Sequence, residues 1–157
     1  MPKDLNPVIA FGFPPCTHTA VAGARHFQSK GPAAAAEAFT LIARVDQLLK
    51  WLDCPFFWEQ PRSTTITYCG EPTYRFEPCD YGGYLEPPGE AYRKQTLLWA
   101  GGGFVMPPPK PVEPIKTCPT GFWNQKMGGK SLRTKNLRSA TPKGFSQAVF
   151  EFNRLTG

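Results

Sequence analysis

The chain has 157 residues, enough for one domain with a real hydrophobic core, and its 41% hydrophobic content with 18 prolines and 15 glycines argues for a compact fold with irregular excursions and against long regular elements. No apolar run approaches the roughly 20 residues of a bilayer span, and the opening Met-Pro-Lys-Asp lacks a signal-peptide layout, so an intracellular, cytoplasmic protein without a membrane partner is expected. The net charge of +6 is concentrated late, with Lys126, Lys130, Arg133, Lys135, Arg138, Lys143 and Arg154 against the single acid Glu151; such a tail can follow a nucleic-acid backbone or remain a solvated basic surface.

The first element is the apolar run from Pro7 to Phe13, stopped by Pro14-Pro15, which reads as a strand buried on both faces. Residues 33–52 then form an amphipathic helix. Phe39, Ile42, Val45, Leu49 and Leu52 recur every three or four residues, and Glu37, Arg44, Asp46 and Lys50 fall largely on the other side. After Pro55, Phe56-Phe57-Trp58-Glu59 is a second apolar strand that ends in a carboxylate. Strand, helix, strand in this order is a parallel βαβ unit, whose strand ends gather on one rim where ligands of open α/β sheets bind. Cys16 and Glu59 would share that rim.

Two further strands are predicted at 74–77 and 95–99, separated by a Gly- and Pro-bearing loop. Residues 100–140 read as an irregular basic and Pro-rich segment, broken by glycines 101–103 and prolines 107–109 and 111. Thr141-Pro142 opens a last helix with Phe145, Ala148, Val149 and Phe152 on one stripe. The expectation is an α/β fold in a single domain over 1–157, with its core over 7–99 and a closing helix over 141–154.

Five cysteines, Cys16, Cys54, Cys69, Cys79 and Cys118, are an odd number without a Cys-x-x-Cys pair, so most are expected to be packed, reduced thiols. Only Cys16 and His18 approach ligand-like spacing, and no metal site is expected. Cys16 differs from the others in its setting. It follows a strand and a rigid Pro-Pro turn, where backbone N–H groups or a nearby cation can lower a thiol pKa from about 8.5. That suits a nucleophile, and it also suits a thiol buried behind a turn.

The strand followed by Gly12-Phe13-Pro14-Pro15-Cys16 resembles the Pro-Cys loop of DNA cytosine-5 methyltransferases, and Phe57-Trp58-Glu59-Gln60-Pro61 resembles their strand ending in Glu-Asn. Cys79-Asp80-Tyr81-Gly82 and the stretch from Tyr92 to Trp99 are similar to the region where that family has Tyr-Gly, a glutamine-arginine cluster and the next strand. A divergent, often phage-associated group resembles the chain more closely, through Pro14-Pro15-Cys16-Thr17-His18 and the stretch from Arg138 to Gly144. A phage origin would place the protein in the host cytoplasm.

The resemblance implies a partial Rossmann-like methyltransferase sheet with flanking helices. It implies Cys16 as the covalent nucleophile at C6 of a flipped cytosine and Glu59 as the acid at its N3 and amino edge. Phe13, Pro15, His18 and Trp58 would contact the base, Arg93 and Lys94 are the cations of the glutamine-arginine region, and Lys126, Lys130, Arg133, Lys135 and Arg138 would follow the DNA backbone. The family also carries a Gly-rich loop for S-adenosylmethionine some dozens of residues upstream, where this sequence has only Met1 to Asn6 before its first strand. The cofactor site is therefore expected from a second chain or another copy, or from a rearranged site. The alternative is a catalytically inactive relic that binds DNA or nucleotides as a binding or inhibitor module. A third reading, without nucleic acid, has residues 107–111 as a polyproline segment offered to an aromatic groove.

Overall fold

The computed structural model describes residues 7–115, 131–132 and 139–153. The predicted backbone-binding residues Lys126, Lys130, Arg133, Lys135 and Arg138 lie outside the described residues, as does Cys118. Two compact units form, Met1–Arg75 with Thr96–Val105, and Phe76–Gln95 with Met106–Gly157. No helix among the described residues is long and apolar enough to cross a membrane.

The first unit follows the expected α/β plan. Strand β1 (Ala10–Gly12) leads through a 3₁₀ turn (Val21–His26) into helix α1 (Phe27–Trp51) and strand β2 (Phe56–Pro61). Helix α1 starts six residues before the expected start at residue 33, and Gly31 (φ 73°) interrupts it ahead of Pro32, separating a first turn from the regular helix. A short helix α2 (Thr65–Cys69), not anticipated from the sequence, precedes β3 (Tyr74–Phe76), and β4 (Thr96–Gly101) closes the sheet. The strand order is β1-β2-β4-β3. β1 and β2 run parallel, with Ala10 opposite Phe56 and Gly12 opposite Trp58, as a βαβ unit requires. β4 enters antiparallel to β2, with Trp58 opposite Trp99 and Pro61 opposite Thr96, so the sheet is mixed.

The predicted helix stripe meets the sheet. Ile42 and Leu49 join Phe56, Trp58, Leu97 and Trp99 in one buried cluster, with Phe39, Val45 and Leu52 packed against it. Each such side chain taken from water contributes about 1.5–3 kcal/mol. Gly12 permits the close approach of α1 to β1, since a Cβ there would lie 2.5 Å from Val45 Cγ1 and 2.9 Å from both Leu49 Cδ1 and Trp58 Cβ. Alternation puts the neighbouring residues on the opposite face of the sheet. There Phe57 packs against Phe11 (ring centroids 4.8 Å apart) and Phe104 (5.1 Å).

The second unit is built around helix α3 (Lys143–Asn153), whose Phe145, Ala148 and Val149 are buried while Phe152 stays at the surface. Phe145 stacks on Phe76 at 4.2 Å and meets Tyr81 edge-on at 5.3 Å. The proline run is docked on its own unit: Tyr81 Oη donates to the Pro107 carbonyl (3.0 Å), Tyr84 Oη to that of Pro108 (2.7 Å), and Lys110 Nζ lies 4.1 Å from the centre of the Tyr84 ring. The carbonyls of Pro107 and Pro108 are thus held within this unit, with Pro107 buried and Pro108, Pro109 and Pro111 exposed. Burial pushes Tyr81 up to about 12, with Asp80 adding to the effect.

Glu90 caps α3 by accepting from the backbone N–H groups of Lys143 (2.8 Å) and Gly144 (2.9 Å). Its own backbone has φ 55°, a left-handed conformation that costs a non-glycine residue energy, so the cap must offset strain as well as satisfy the helix end. Glu90→Ala is expected to destabilise the second unit by about 1–2 kcal/mol. A urea midpoint unchanged from wild type would show that the cap carries no net stability.

Candidate active site

Because β1 and β2 are parallel and in register, residues that follow Gly12 and Trp58 leave the sheet by the same end. The loop that carries Phe13, Pro14, Pro15 and Cys16 therefore opens on the rim where β2 carries Glu59 and Gln60. Cys16 and Glu59 are both partly buried.

The loop is tied down at both ends by one side chain. Gln60 and Thr19 are both fully buried, at 0% exposure. Gln60 Nε2 donates to the Pro14 carbonyl at 2.5 Å, and Gln60 Oε1 accepts from Thr19 Oγ1 at 3.0 Å. One amide thus braces residues 14 and 19, with Cys16 between them. The Cys16 carbonyl accepts from the N–H groups of Thr19 (3.1 Å) and Ala20 (2.9 Å), closing the turn. Beyond the turn, Ala20 forms a bridge with Ser63, Val21 N–H donates to the Arg62 carbonyl (3.1 Å) and Thr64 N–H to the Thr19 carbonyl (3.0 Å). Gln60 was absent from the sequence-derived site. The signal for it in the sequence is a glutamine in a strand whose other residues, Glu59 apart, are apolar, since a buried amide must find partners for both its ends.

The other expected base contacts divide. Phe13 is 52% exposed and meets Phe57 edge-on at 6.3 Å, so an aromatic face stands open beside the loop. Pro15 is exposed and His18 is partly buried, with its Nδ1 sequestered and without a hydrogen-bond partner. Trp58, in contrast, is a core residue. It is 2% exposed, stacks on Trp99 at 4.2 Å and 4°, and donates through Nε1 to Asp46 at 3.1 Å, leaving no face for a ligand. In register terms it shares the side of Phe56 and Gly12 that faces α1.

Arg93 and Lys94 belong to the second unit. Arg93 is exposed and acts electrostatically on Glu77 and Cys79, and Lys94 Nζ donates to the Ala140 carbonyl at 3.4 Å. Burial raises the Glu77 carboxyl above the ordinary carboxylate range, aided by Asp80 and opposed by a backbone hydrogen bond from Lys94 and the charge of Arg93. Burial also raises the thiols of Cys54 and Cys79, with Asp53 and Asp80 respectively adding to it, which keeps both protonated and inert at neutral pH. Cys69 is exposed. Among the described residues no three His, Cys, Asp or Glu side chains gather as a metal site.

Glycines 101–103 are the one run among the described residues that might suggest a cofactor loop. At Gly102 a Cβ would lie 2.0 Å from the Cys54 carbonyl oxygen, whereas one at Gly103 would meet nothing within 4 Å. No protein-family model, no curated protein and no solved structure matches this chain.

Proposed function

We propose that the chain is a DNA-modification protein that handles cytosine as cytosine-5 methyltransferases do, with Cys16 as nucleophile and Glu59 as the acid at the base edge. The observation that carries this reading is the parallel register of β1 and β2, which delivers a braced cysteine loop and a carboxylate to one rim. The parallel βαβ unit with its ligand rim also supports reading the sheet as part of a Rossmann-like methyltransferase sheet. Cys16 Sγ, as thiolate, bonds to C6 of an extruded cytosine; the C5=C6 electron pair moves toward the N3 side of the ring, where Glu59 supplies a proton, and C5 becomes nucleophilic. Phe13 offers a ring to the extruded base. S-adenosylmethionine would supply the methyl group, held by a second chain or another copy.

The test is a duplex oligonucleotide in which one cytosine is replaced by 2-pyrimidinone, whose C6 accepts a thiol and retains it. Wild-type protein is expected to give a denaturant-resistant species with the summed mass of chain and oligonucleotide. Cys16→Ser should give none, and Glu59→Gln should slow its formation by about 10²–10⁴-fold. Absence of any adduct despite oligonucleotide binding would instead identify a binding module without chemistry. An adduct that survives Cys16→Ser would overturn the assignment of the nucleophile.

A further inference from the structure

From residue 5 to residue 36 the sequence contains no Asp or Glu, and the loop, 3₁₀ turn and first helical turn that surround Cys16 fall within this stretch. Three cations lie on the loop's flanking segments, one of them hydrogen-bonded to the loop itself. Lys30, on the turn of α1 before the break at Gly31, donates through Nζ to the Thr17 carbonyl at 2.7 Å, one residue from Cys16. Arg25 closes the 3₁₀ turn and donates through Nε to His26 Nε2 at 3.1 Å. Arg62 lies on the chain segment that accepts the Val21 N–H, directly beside the far end of the loop. Arg25 and Arg62 are exposed, and none of the three makes an ion pair among the described residues. Phe13, half exposed, stands at the start of the same loop.

Cations without acid partners repel one another and are held together here by the backbone that fixes the loop. A polyanion neutralises such a set and releases its counterions, whereas a single small anion would meet only part of it. An exposed aromatic ring among the cations adds a stacking surface for bases. We infer that Arg25, Lys30 and Arg62 form a phosphate-contacting collar around the Cys16 loop, which grips the DNA backbone on either side of the base presented to the loop. This rests on the nucleic-acid reading above and adds to it a contact surface separate from the basic tail. Lys30 has a double part, since one of its three N–H donors already holds the loop carbonyl and two remain for a phosphate oxygen.

The experiment is fluorescence anisotropy with a labelled 20-base-pair duplex over a range of salt concentrations. It compares wild type, the double variant Arg25→Gln/Arg62→Gln, the charge reversal Arg25→Glu/Arg62→Glu, and Arg44→Glu on the exposed side of α1 as a control. Circular dichroism confirms folding, and the neutral pair serves should the reversal fail to fold. Removing the two arginines should flatten the slope of log affinity against log salt by roughly 0.9 per cation and weaken binding about ten-fold or more at 0.1 M salt, with Arg44→Glu near wild type. Wild-type slope and affinity in the double variants, or an equal loss in Arg44→Glu, would overturn the collar. So would tighter binding to vesicles of anionic phospholipid than to the duplex. Failure of the 2-pyrimidinone adduct with the salt dependence intact removes the Cys16 chemistry and leaves the collar standing; the reverse result removes only the collar.

Discussion

Trp58→Ala is expected to destabilise the first unit by about 3–5 kcal/mol, the range for deleting a buried tryptophan from a packed core. Trp58 fills the space between α1 and the sheet, and its ring lies flat on Trp99 with an interplanar angle of 4°. Truncation would open a cavity lined by Ile42, Leu49 and Trp99 and remove the indole N–H donated to Asp46, which would keep Lys50 at 2.7 Å as its other partner. The stacking adds about 0.5–1.5 kcal/mol beyond area alone. Urea unfolding followed by far-UV circular dichroism measures the loss. A ligand-stacking tryptophan behaves in the opposite way: stability near wild type combined with weaker oligonucleotide binding would make Trp58 a ligand contact and contradict its place in the core.

The second large effect falls on Gln60. Replacing it with leucine, similar in size but apolar, leaves the Pro14 carbonyl without its partner in a buried setting, while the Thr19 hydroxyl keeps the Cys16 carbonyl at 3.4 Å as an acceptor. A stranded polar group costs about 1–3 kcal/mol, so Gln60→Leu should lose roughly that much. Thr19→Val removes only the hydroxyl end of the brace, and in a double-mutant cycle the two changes should be strongly non-additive, since they break one shared hydrogen bond. The functional consequence is local. With the loop no longer anchored at residue 14, the rate of the 2-pyrimidinone adduct at Cys16 should fall in Gln60→Leu below the value expected from its folded fraction. An adduct rate that tracks the folded fraction alone would make Gln60 a stability residue and nothing more.

These two residues also mark where sequence reasoning stops. The element order, the parallel β1-α1-β2 unit and the stripe from Phe39 to Leu52 follow from hydrophobic periods that are local properties of the chain, and the structure reproduces them. Strand β1 itself is shorter than the run from Pro7 to Phe13: it ends at Gly12 and, paired on one side only, leaves Val8 and Phe11 exposed, so it is not buried on both faces as its apolar run suggests. In the run Phe56-Phe57-Trp58 every position is apolar, so no period says which side chain faces the helix. Pairing decided it: opposite Gly12, where the missing Cβ lets α1 descend, Trp58 turns inward, and Phe57 turns to the other face with Phe11 and Phe104.

The sequence by itself determined the α/β class, the cysteine on its rigid turn and the acid-free stretch around it, because composition and short-range spacing carry that information. Tertiary structure alone decided that β4 enters antiparallel beside β2 and that Gln60 reaches across 46 and 41 positions to Pro14 and Thr19. It also brought Arg62 alongside Val21 and folded the prolines at 107 and 108 onto Tyr81 and Tyr84. The physical reason is the same in each case. Strand neighbours and buried hydrogen bonds are chosen by the free energy of the whole packed unit, in which partners far apart in the chain compete, and no local pattern records the winner.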